Sequence, residues 1–482
     1  MVADRYFTAR QISAALLAIT LPPLMMTASG LSRLARLLFV LALPLSAAHA
    51  HPRLMNAVPA AEGRVGARPR ALTLTFNESL AVVLCRVSLL DQTSQLVKLD
   101  TLRAGVNDAK TLTATILGPL SSGRYTVKWQ AAGADGHPVR GEYTFTIDAD
   151  TTGTGLASAS RPAPASDFGV ESPTYAAIRA VQSIAVVALL GILALQLVVL
   201  PRYARQATAN AELLRASKRA SLPWLTIALS TIGVATVARF GAQHAALFGA
   251  AEGWSPATVG AMLLHSGWGL AWCLAAVGTA VGFWALGRIR RERPHAWLLL
   301  TASTLVLVVT IAMSGHAAAA SSPITAMAVH ALHVVGAGGW MGSLAALMII
   351  AIPTAMRTDA DDTHQMVAGL LNAFSPTALV FAGLVAVTGA IAAWRNLGAV
   401  EELWRSTYGQ VLLLKMATLS VAAATGAYNW KRVLPSLGTV TGTARLRTSA
   451  SVELAAALAV LLITAILVAT PMPIDMVAPL GS

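Results

Sequence analysis

One histidine stands where signal peptidase would make it the first residue of a mature chain. The apolar run over residues 38–45 is followed by the small-x-small site Ala48-His49-Ala50, which is typical of a cleavable signal peptide. Cleavage after Ala50 leaves His51 with a free α-amine, so one residue offers an amine and an imidazole to the same metal ion. Nitrogen ligands in a tetragonal arrangement suit Cu(II) better than other first-row divalent ions. The alternative is that His51 is incidental, because some residue must come first.

A second group of candidate ligands is the triplet Asp135-Gly136-His137. A carboxylate and an imidazole two residues apart, around a turn glycine, can face one ion. Together with the amine and imidazole of His51 they give an N3O ligand set, which matches square-planar Cu(II). Glu78 adds a carboxylate or orients a ligand. The alternative is a surface β-turn, in which Asp-Gly is common.

Further histidines fall in or beside apolar segments of the second half of the chain. His330 and His333 are three residues apart and therefore share one helix face. Met327 lies one turn before His330, and a thioether beside imidazoles favours Cu(I). We predict a membrane site for Cu(I) or Cu(II), and the alternative is that such histidines only meet headgroups and water, which we favour for His244. The predicted ligands of this membrane site are His265, His316, His330 and His333.

Composition predicts a polytopic membrane protein. The chain has 482 residues, of which 55% are hydrophobic and 12% charged, with a mean hydropathy of +0.63. A soluble protein carries roughly twice that charged fraction. The net charge of +13 does not indicate nucleic acid, because the basic residues lie between apolar spans. Cys85 and Cys273 form no CxxC motif, so neither a disulfide framework nor thiolate metal chemistry is expected. No nucleotide-binding motif and no nucleophile–base arrangement appear, so we expect neither ATP binding nor an enzyme.

The chain divides into four segments. Residues 71–76 and 141–147 alternate with period two, and turn residues separate such runs, which predicts a small β sandwich or barrel. The segment before the first transmembrane span is rich in Thr, Ser, Ala, Gly and Pro, which is typical of a tether. Met25 or Met26 is an alternative start, since a second apolar run precedes the signal core. The predicted segments are a leader (1–50), a β domain (51–149), a linker (150–173) and a helical domain (174–482).

Eight apolar spans are long enough to cross a bilayer as helices. The loops after the first, third and seventh spans are rich in Lys and Arg, which predicts that they are cytoplasmic. Eight spans then place both ends of the mature chain outside the cytoplasm, on the side that the signal peptide predicts. We therefore expect a multi-pass membrane protein, with the lipid bilayer as a partner. The spans run approximately over 175–200, 222–243, 258–287, 296–315, 324–352, 375–395, 409–430 and 450–470.

These residues together resemble two copper protein families. The segment His51-Pro52-Arg53-Leu54, the run 74–78, the run 123–129 and the triplet with Pro138 are similar to CopC. The second half resembles CopD through Ser314-Gly315-His316, through His330 to His333 with the run 339–342, and through the run 408–415. The resemblance covers nearly all of the mature chain as a CopC–CopD fusion.

The resemblance implies a cupredoxin-like Greek-key barrel that binds Cu(II), followed by an all-α membrane bundle that moves copper inward across a bacterial inner membrane. The β domain and both ends of the mature chain would then lie in the periplasm. The carried-over ligands are His51, Asp135 and His137, with Glu78 less firmly placed. The Met-rich Cu(I) loop of some CopC proteins is absent, because residues 97–122 contain neither Met nor His. Two alternatives to copper import remain open: a haem-binding electron carrier that uses the transmembrane histidines, and copper sequestration for tolerance without transport.

Overall fold

A computed structural model describes most of the chain after the predicted leader. The candidate ligands His51, Asp135, His137 and His316 lie outside the described residues. The described residues are 52–105, 108–133, 136, 138–148, 161–162, 173–206, 209–249, 253–293, 295–314, 322–358, 363–433, 440–470 and 473.

The N-terminal part is a β domain made of two sheets. One sheet has the strand order β1-β3-β7-β6, and the other has the order β10-β9-β8-β4-β5 with β2 paired in parallel to β9. The other pairings are antiparallel. The strands are β1 (Leu54–Val58), β2 (Arg64–Val65), β3 (Ala71–Phe76), β4 (Arg86–Leu90), β5 (Leu96–Val97), β6 (Arg103–Gly105), β7 (Asp108–Thr115), β8 (Gly123–Ala132), β9 (Pro138–Ile147) and β10 (Arg161–Pro162).

The alternating residues of these strands form the core of the β domain. Every second residue of β3 is buried, ending with Phe76, whose ring meets the indole of Trp129 edge to face at a centroid distance of 5.3 Å. Gly141 pairs with Trp129 across β8 and β9, and a Cβ at Gly141 would overlap that indole. The period-two pattern therefore packs one face of each sheet inward. Glycine opposite the indole leaves space for the largest side chain of this core.

The remaining chain is helical, and eight of its helices are long and apolar enough to cross a membrane. This matches the eight spans expected from the sequence. Two short helices, α3 and α8, precede α4 and α9. The helices are α1 (Pro173–Tyr203), α2 (Ala211–Phe248), α3 (Pro256–Leu264), α4 (Gly267–Arg290), α5 (Ala296–Met313), α6 (Pro323–Arg357), α7 (Thr363–Leu397), α8 (Glu402–Arg405), α9 (Thr407–Tyr428) and α10 (Val440–Ala469).

Helices α1 and α6 form the centre of the bundle. They are the most buried of the eight long helices, and they approach closely where Gly191 lies against Gly342, since a Cβ at either glycine would overlap the backbone of the other helix. Both helices contain π turns, one at Leu195–Val199 in α1 and two at Gly338–Gly342 and Leu347–Ala351 in α6. Small residues let the backbones of membrane helices pack at this short distance.

The helical bundle has two ends with different surroundings. The β domain touches the end of α2 and the start of α4. Because successive long helices run in opposite directions, the basic residues after α1, after α4 and after α9 all lie at the other end. Arg205, Arg291 and Lys431 are examples of these residues, and the described part of each segment exposes them. The fold therefore has a β-domain end and a basic end.

Candidate metal site and the contact between the domains

The candidate triplet falls in the connection between β8 and β9. Ala132 pairs with Pro138, so β8 and β9 form a hairpin, and the described residues of its hairpin loop are Gly133 and Gly136. The amide of Gly136 donates to the carbonyl of Gly133 at 3.0 Å, and Gly136 has φ +76°. A positive φ of this size favours glycine, so Gly136 supports the turn that Asp-Gly predicted.

The segment just after the predicted cleavage site is tied to the segment that carries Glu78. The amide of Arg53 donates to Asn77 Oδ1 at 2.7 Å, and the amide of Asn77 donates to the carbonyl of Arg53 at 3.2 Å. Arg53 is two residues after His51, which amounts to at most about 7 Å of chain. Glu78 follows Asn77 directly and is half-buried. The residues next to His51 thus lie beside the predicted carboxylate.

The Glu78 segment also runs alongside the hairpin loop. Leu80 forms an isolated antiparallel bridge with Gly133, and the amide of Ala81 donates to the carbonyl of Ala132 at 2.9 Å. The described neighbours of three predicted ligand positions, around residues 51, 78 and 135–137, therefore converge at one end of the β domain. Within the described part of the chain, no group of three or more His, Cys, Asp and Glu side chains is arranged to hold a metal ion.

The hairpin loop rests directly on the helices. Gln243 of α2 donates through Nε2 to the carbonyl of Gly136 at 2.7 Å. The side chain of Trp268, at the start of α4, packs against Gly136 so closely that a Cβ there would lie 2.8 Å from the Trp268 Cβ. Gln243 and Trp268 are both buried. Sequence analysis missed this contact, although Gln243 is conspicuous as an amide in an apolar span.

Two further side chains of the β domain bind the C-terminal end of α2. Gln130 donates to the carbonyl of Leu247 at 3.0 Å, and Arg140 donates to the carbonyl of Ala246 at 2.5 Å. Arg140 also donates to Gln130 Oε1 at 2.9 Å, so the pair acts as one unit. These donors satisfy carbonyl groups that have no partner within the helix, and the cation suits the negative end of the helix dipole.

The contact between the β domain and the helices also includes a buried apolar cluster and a second cation, Arg86. The guanidinium of Arg86 lies over the ring of Phe248 at 5.3 Å from its centroid. Burial lowers the pKa of Arg86, and the positive charge of Arg140 adds to this effect; burial also lowers the pKa of Arg140. Around these groups, side chains from both domains form one buried apolar cluster. Its members are Leu84, Ala132, Leu247, Phe248, Met262 and Trp268.

A chain of buried polar side chains continues from Gln243 into the bundle. Tyr175 of α1 donates to Gln243 Oε1 at 3.3 Å and accepts a hydrogen bond from the indole of Trp268 at 3.3 Å. Arg239 donates to the Tyr175 hydroxyl at 3.5 Å and to Gln182 Oε1 at 3.0 Å. All of these side chains are buried. The hairpin loop is therefore connected by hydrogen bonds to side chains inside the helical domain.

His330 and His333 lie together on α6, as the sequence predicted from their spacing. Nδ1 of His333 shares a hydrogen bond of 2.9 Å with the hydroxyl of Thr388 on α7. Lys415 of α9 acts electrostatically on both imidazoles, and Arg179 of α1 acts on His330. Sequence analysis did not anticipate these two cations beside the imidazoles. Like charges repel, so these two cations would weaken the binding of a metal ion by the imidazoles.

The other histidines of the helical domain are separate from this pair. His265 is exposed at the end of α3. His244 is buried, shares a hydrogen bond of 3.1 Å with Thr258, and stacks on Trp254 at a centroid distance of 3.9 Å. His244 is thus a buried, packed side chain, and it does not meet headgroups and water as we favoured from the sequence. The structure does not bring His265 into a metal cluster with His330 and His333.

Comparison with known proteins identifies the families. The family model described as "CopC domain" matches residues 54–148. The model described as "Copper resistance protein D-like, N-terminal domain" matches residues 170–324, and the one described as "Copper resistance protein D" matches residues 368–467. The chain joins a CopC domain to a CopD region. The pair His330 and His333 falls between the two CopD matches.

Individual relatives match both parts of the chain. Copper resistance protein C of Pseudomonas syringae pv. tomato is 35% identical over 107 residues, which are 21% of this chain and 82% of that protein. Copper transport protein CutJ of Bacillus subtilis (strain 168) is 24% identical over 443 residues, which are 91% of this chain and 77% of that protein. The crystal structure of CopC from Methylosinus trichosporium OB3b is 33% identical and covers 20% of this chain and 94% of its own, with a TM-score of 0.19. The chain is thus a multi-pass member of copper resistance and transport families, and none of these three relatives has a name that describes an enzyme.

Proposed function

We propose that this protein captures Cu(II) in the periplasm on its CopC domain and moves copper inward through its CopD region. The CopC ligands would be the amine and imidazole of His51, the carboxylate of Asp135 and the imidazole of His137, with Glu78 as an added or orienting carboxylate. One observation carries the proposal: Gly136, between two of these ligands, is bound by Gln243 and packed on Trp268 of the helical domain. Copper released from the triplet would emerge against the helices.

The contact explains how capture assists transport. A site held against the membrane domain presents its ion at a high effective concentration, so a cation that dissociates there meets the helices before it meets bulk solvent. Neutral nitrogen and carboxylate donors suit Cu(II). The segment over residues 97–122 has no Met or His, which favours a Cu(II) site alone in this domain. Within the bundle, His330 and His333 are the imidazoles available to Cu(I) or Cu(II).

The orientation follows from charge. The basic residues collect at the end of the bundle opposite the CopC domain, and Lys and Arg are enriched in cytoplasmic loops. The CopC domain and both ends of the mature chain would then face the periplasm across a bacterial inner membrane. The cation would enter near α2 and α4 and leave at the basic end.

The amine of His51 gives the sharpest test of the capture site. Full-length protein that begins at His51 is titrated with Cu(II) beside a version with one extra glycine ahead of His51. The extra residue removes the amine of His51 from the ligand set but keeps every side chain, so we expect the affinity to fall by on the order of a hundredfold. Equal affinities would remove this amine from the site.

Cellular copper distinguishes import from its alternatives. A strain that lacks the protein should contain less cytoplasmic copper than a strain that has it, and His330→Ala with His333→Ala should reproduce that deficit. His295→Ala is the matched control, because His295 is exposed at the basic end. Unchanged cytoplasmic copper on deletion would indicate sequestration. A visible absorption band in the purified protein without copper would indicate haem.

A further inference from the structure

A buried carboxyl group lies in the last transmembrane helix, apart from the candidate copper ligands. Glu453 of α10 is only 6% exposed and falls inside the span Thr448–Val468. Ionisable side chains inside a bilayer are costly, and they usually mark a pathway for ions or protons. Packing alone would be served as well by an apolar residue.

The groups that hold this carboxyl are neutral donors. Asn429, just after α9, donates through Nδ2 to Glu453 Oε2 at 3.2 Å, and the indole of Trp340 on α6 also donates to the carboxyl. Gly426 lies alongside it, where a Cβ would be 3.5 Å from Oε1. No Lys or Arg nitrogen among the described side chains forms an ion pair with Glu453. Among the described side chains, no permanent counter-ion therefore fixes its charge.

Asn429 can form a hydrogen bond with Glu453 in its protonated form as well as in its charged form. Its Oδ1 is buried and has no hydrogen-bond partner among the described residues. An ionised carboxylate only accepts hydrogen bonds, whereas a carboxylic acid also donates one. The acid form of Glu453 can therefore satisfy the Asn429 oxygen, while the charged form keeps the bond from Nδ2. Each protonation state has a compensating partner, as a site that exchanges protons requires.

Glu453 approaches α6 at Trp340, which lies further along that helix than the candidate copper histidines. Trp340 follows His333 by seven residues on α6, which is two turns, or about 10 Å of helix. Because α6 starts at the β-domain end, Trp340 and Glu453 are on the side of the histidines that faces the basic end. Lys431 and Arg432 are exposed just beyond Asn429, so solvent at that end is one helical turn away.

Several charged groups lie on the elements that pack against α10. Most belong to the region of the two histidines or to the basic end of the bundle. They are Arg179 and Arg202 on α1, His330, His333 and Arg357 on α6, His364 and Arg395 on α7, and Lys415, Lys431 and Arg432 on or after α9.

We propose that Glu453 is a proton-binding site that couples copper movement to proton movement. When a copper cation reaches the region of His330 and His333, Glu453 loses its proton to solvent at the basic end, and the carboxylate balances part of the metal charge. When the cation leaves, the carboxylate takes up a proton from the β-domain end, so one proton crosses the bundle in each cycle. The O–H bond is the only bond broken and reformed, and no electron is transferred. This proposal rests on the proposed function, because copper must enter the bundle.

Infrared difference spectroscopy on the purified full-length protein tests the site directly. Addition of Cu(II), or of Cu(I) under a reducing agent, should remove the C=O band of a protonated buried carboxyl. Glu453→Gln should abolish that change, whereas Glu453→Asp, which keeps a carboxyl, should retain it. Glu401→Gln is the matched control, because Glu401 is exposed and should leave the change intact. Absence of the band change in the wild type, or its persistence in Glu453→Gln, would overturn the proposal.

Transport in proteoliposomes separates this proposal from the proposed function. Wild-type protein should move copper and produce a proton flux that Glu453→Gln removes. Copper movement with the same proton flux in wild type and Glu453→Gln would refute the proton site and leave the transport function standing. A copper-induced band change without any copper movement would refute transport and leave the proton site standing.

Discussion

One added methyl group at Gly136 should disturb the contact between the two domains. Alanine at φ +76° costs about 1 kcal/mol, and its Cβ would press on Trp268. We expect Gly136→Ala to reduce copper accumulation several-fold and to increase hydrogen exchange of the β8–β9 loop. Gly253→Ala is the control, since Gly253 has φ +61° and open space around it. Equal copper accumulation in both variants would show that accumulation does not depend on the packing of the hairpin loop against the helices.

Cys85 should be inert as a thiolate. Its side chain is buried and its thiol donates to the carbonyl of Ala81 at 3.4 Å. Burial raises the pKa of Cys85 to about 11, so only about one thiol in a thousand is ionised at pH 8. We expect an alkylating reagent at pH 8 to modify Cys85 only after denaturation, as read by mass spectrometry of the peptide, with Cys85→Ala as the blank. Rapid modification of the native protein would show that Cys85 reacts as a thiolate in the folded domain.

Helix α2 depends on the β domain for hydrogen bonds to the carbonyl groups at its C-terminal end. Arg140→Ala removes the donor to Ala246 and the bond that orients Gln130. Charged hydrogen bonds of this kind contribute about 1.5–3 kcal/mol each. We expect faster hydrogen exchange at the end of α2 and weaker protection of β8 and β9. Arg103→Ala is the comparison, because Arg103 pairs with Asp100 in an exposed contact on the other sheet. The same exchange in both variants would mean that Arg140 does not hold the two domains together.

The elements themselves were largely predictable, and their contacts were not. Alternation over residues 71–76 and apolar runs of about 20 residues determine strands and spans locally, so β3 and the eight long helices follow from the sequence. The approach of Lys415 to His333, and of Gln243 to Gly136, depends on how distant helices pack. Gly136 and Gln243 are 107 residues apart in the chain, so no local sequence pattern connects them. The one available signal was polarity inside an apolar span, which Gln182, Arg239 and Gln243 all display.

The candidate metal site was predictable in its residue types and partly in its surroundings. The Asp-Gly turn placed Gly136 in a hairpin, and the register of β8 and β9 agrees with that expectation. The bond between Arg53 and Asn77 was not foreseeable, because it is a tertiary contact between segments 24 residues apart. The ligand positions His51, Asp135 and His137 stay predictions, and the converging neighbours support them.

The CopC domain lies at one end of the helical bundle, and this position bears on the proposed orientation in the membrane. That domain contacts the end of α2 and the start of α4, so an even number of spans brings the end of α10 back to the same side. The opposite end exposes Arg291 and Lys431, and moving such residues across the bilayer during insertion is unfavourable. The fold and the charge distribution therefore favour the same orientation.

Reporter fusions test this orientation along the whole chain. Alkaline phosphatase, which is active only outside the cytoplasm, should be inactive when it is fused after residues 291 or 432 and active when it is fused after residues 400 or 470. A fluorescent protein that folds only in the cytoplasm should give the reverse pattern at the same four positions, which controls for expression. Phosphatase activity after residue 432 would show that the last two spans have the opposite orientation. Glu453 would then face the periplasm, and the proposed exit of its proton to the cytoplasm would fail together with this orientation.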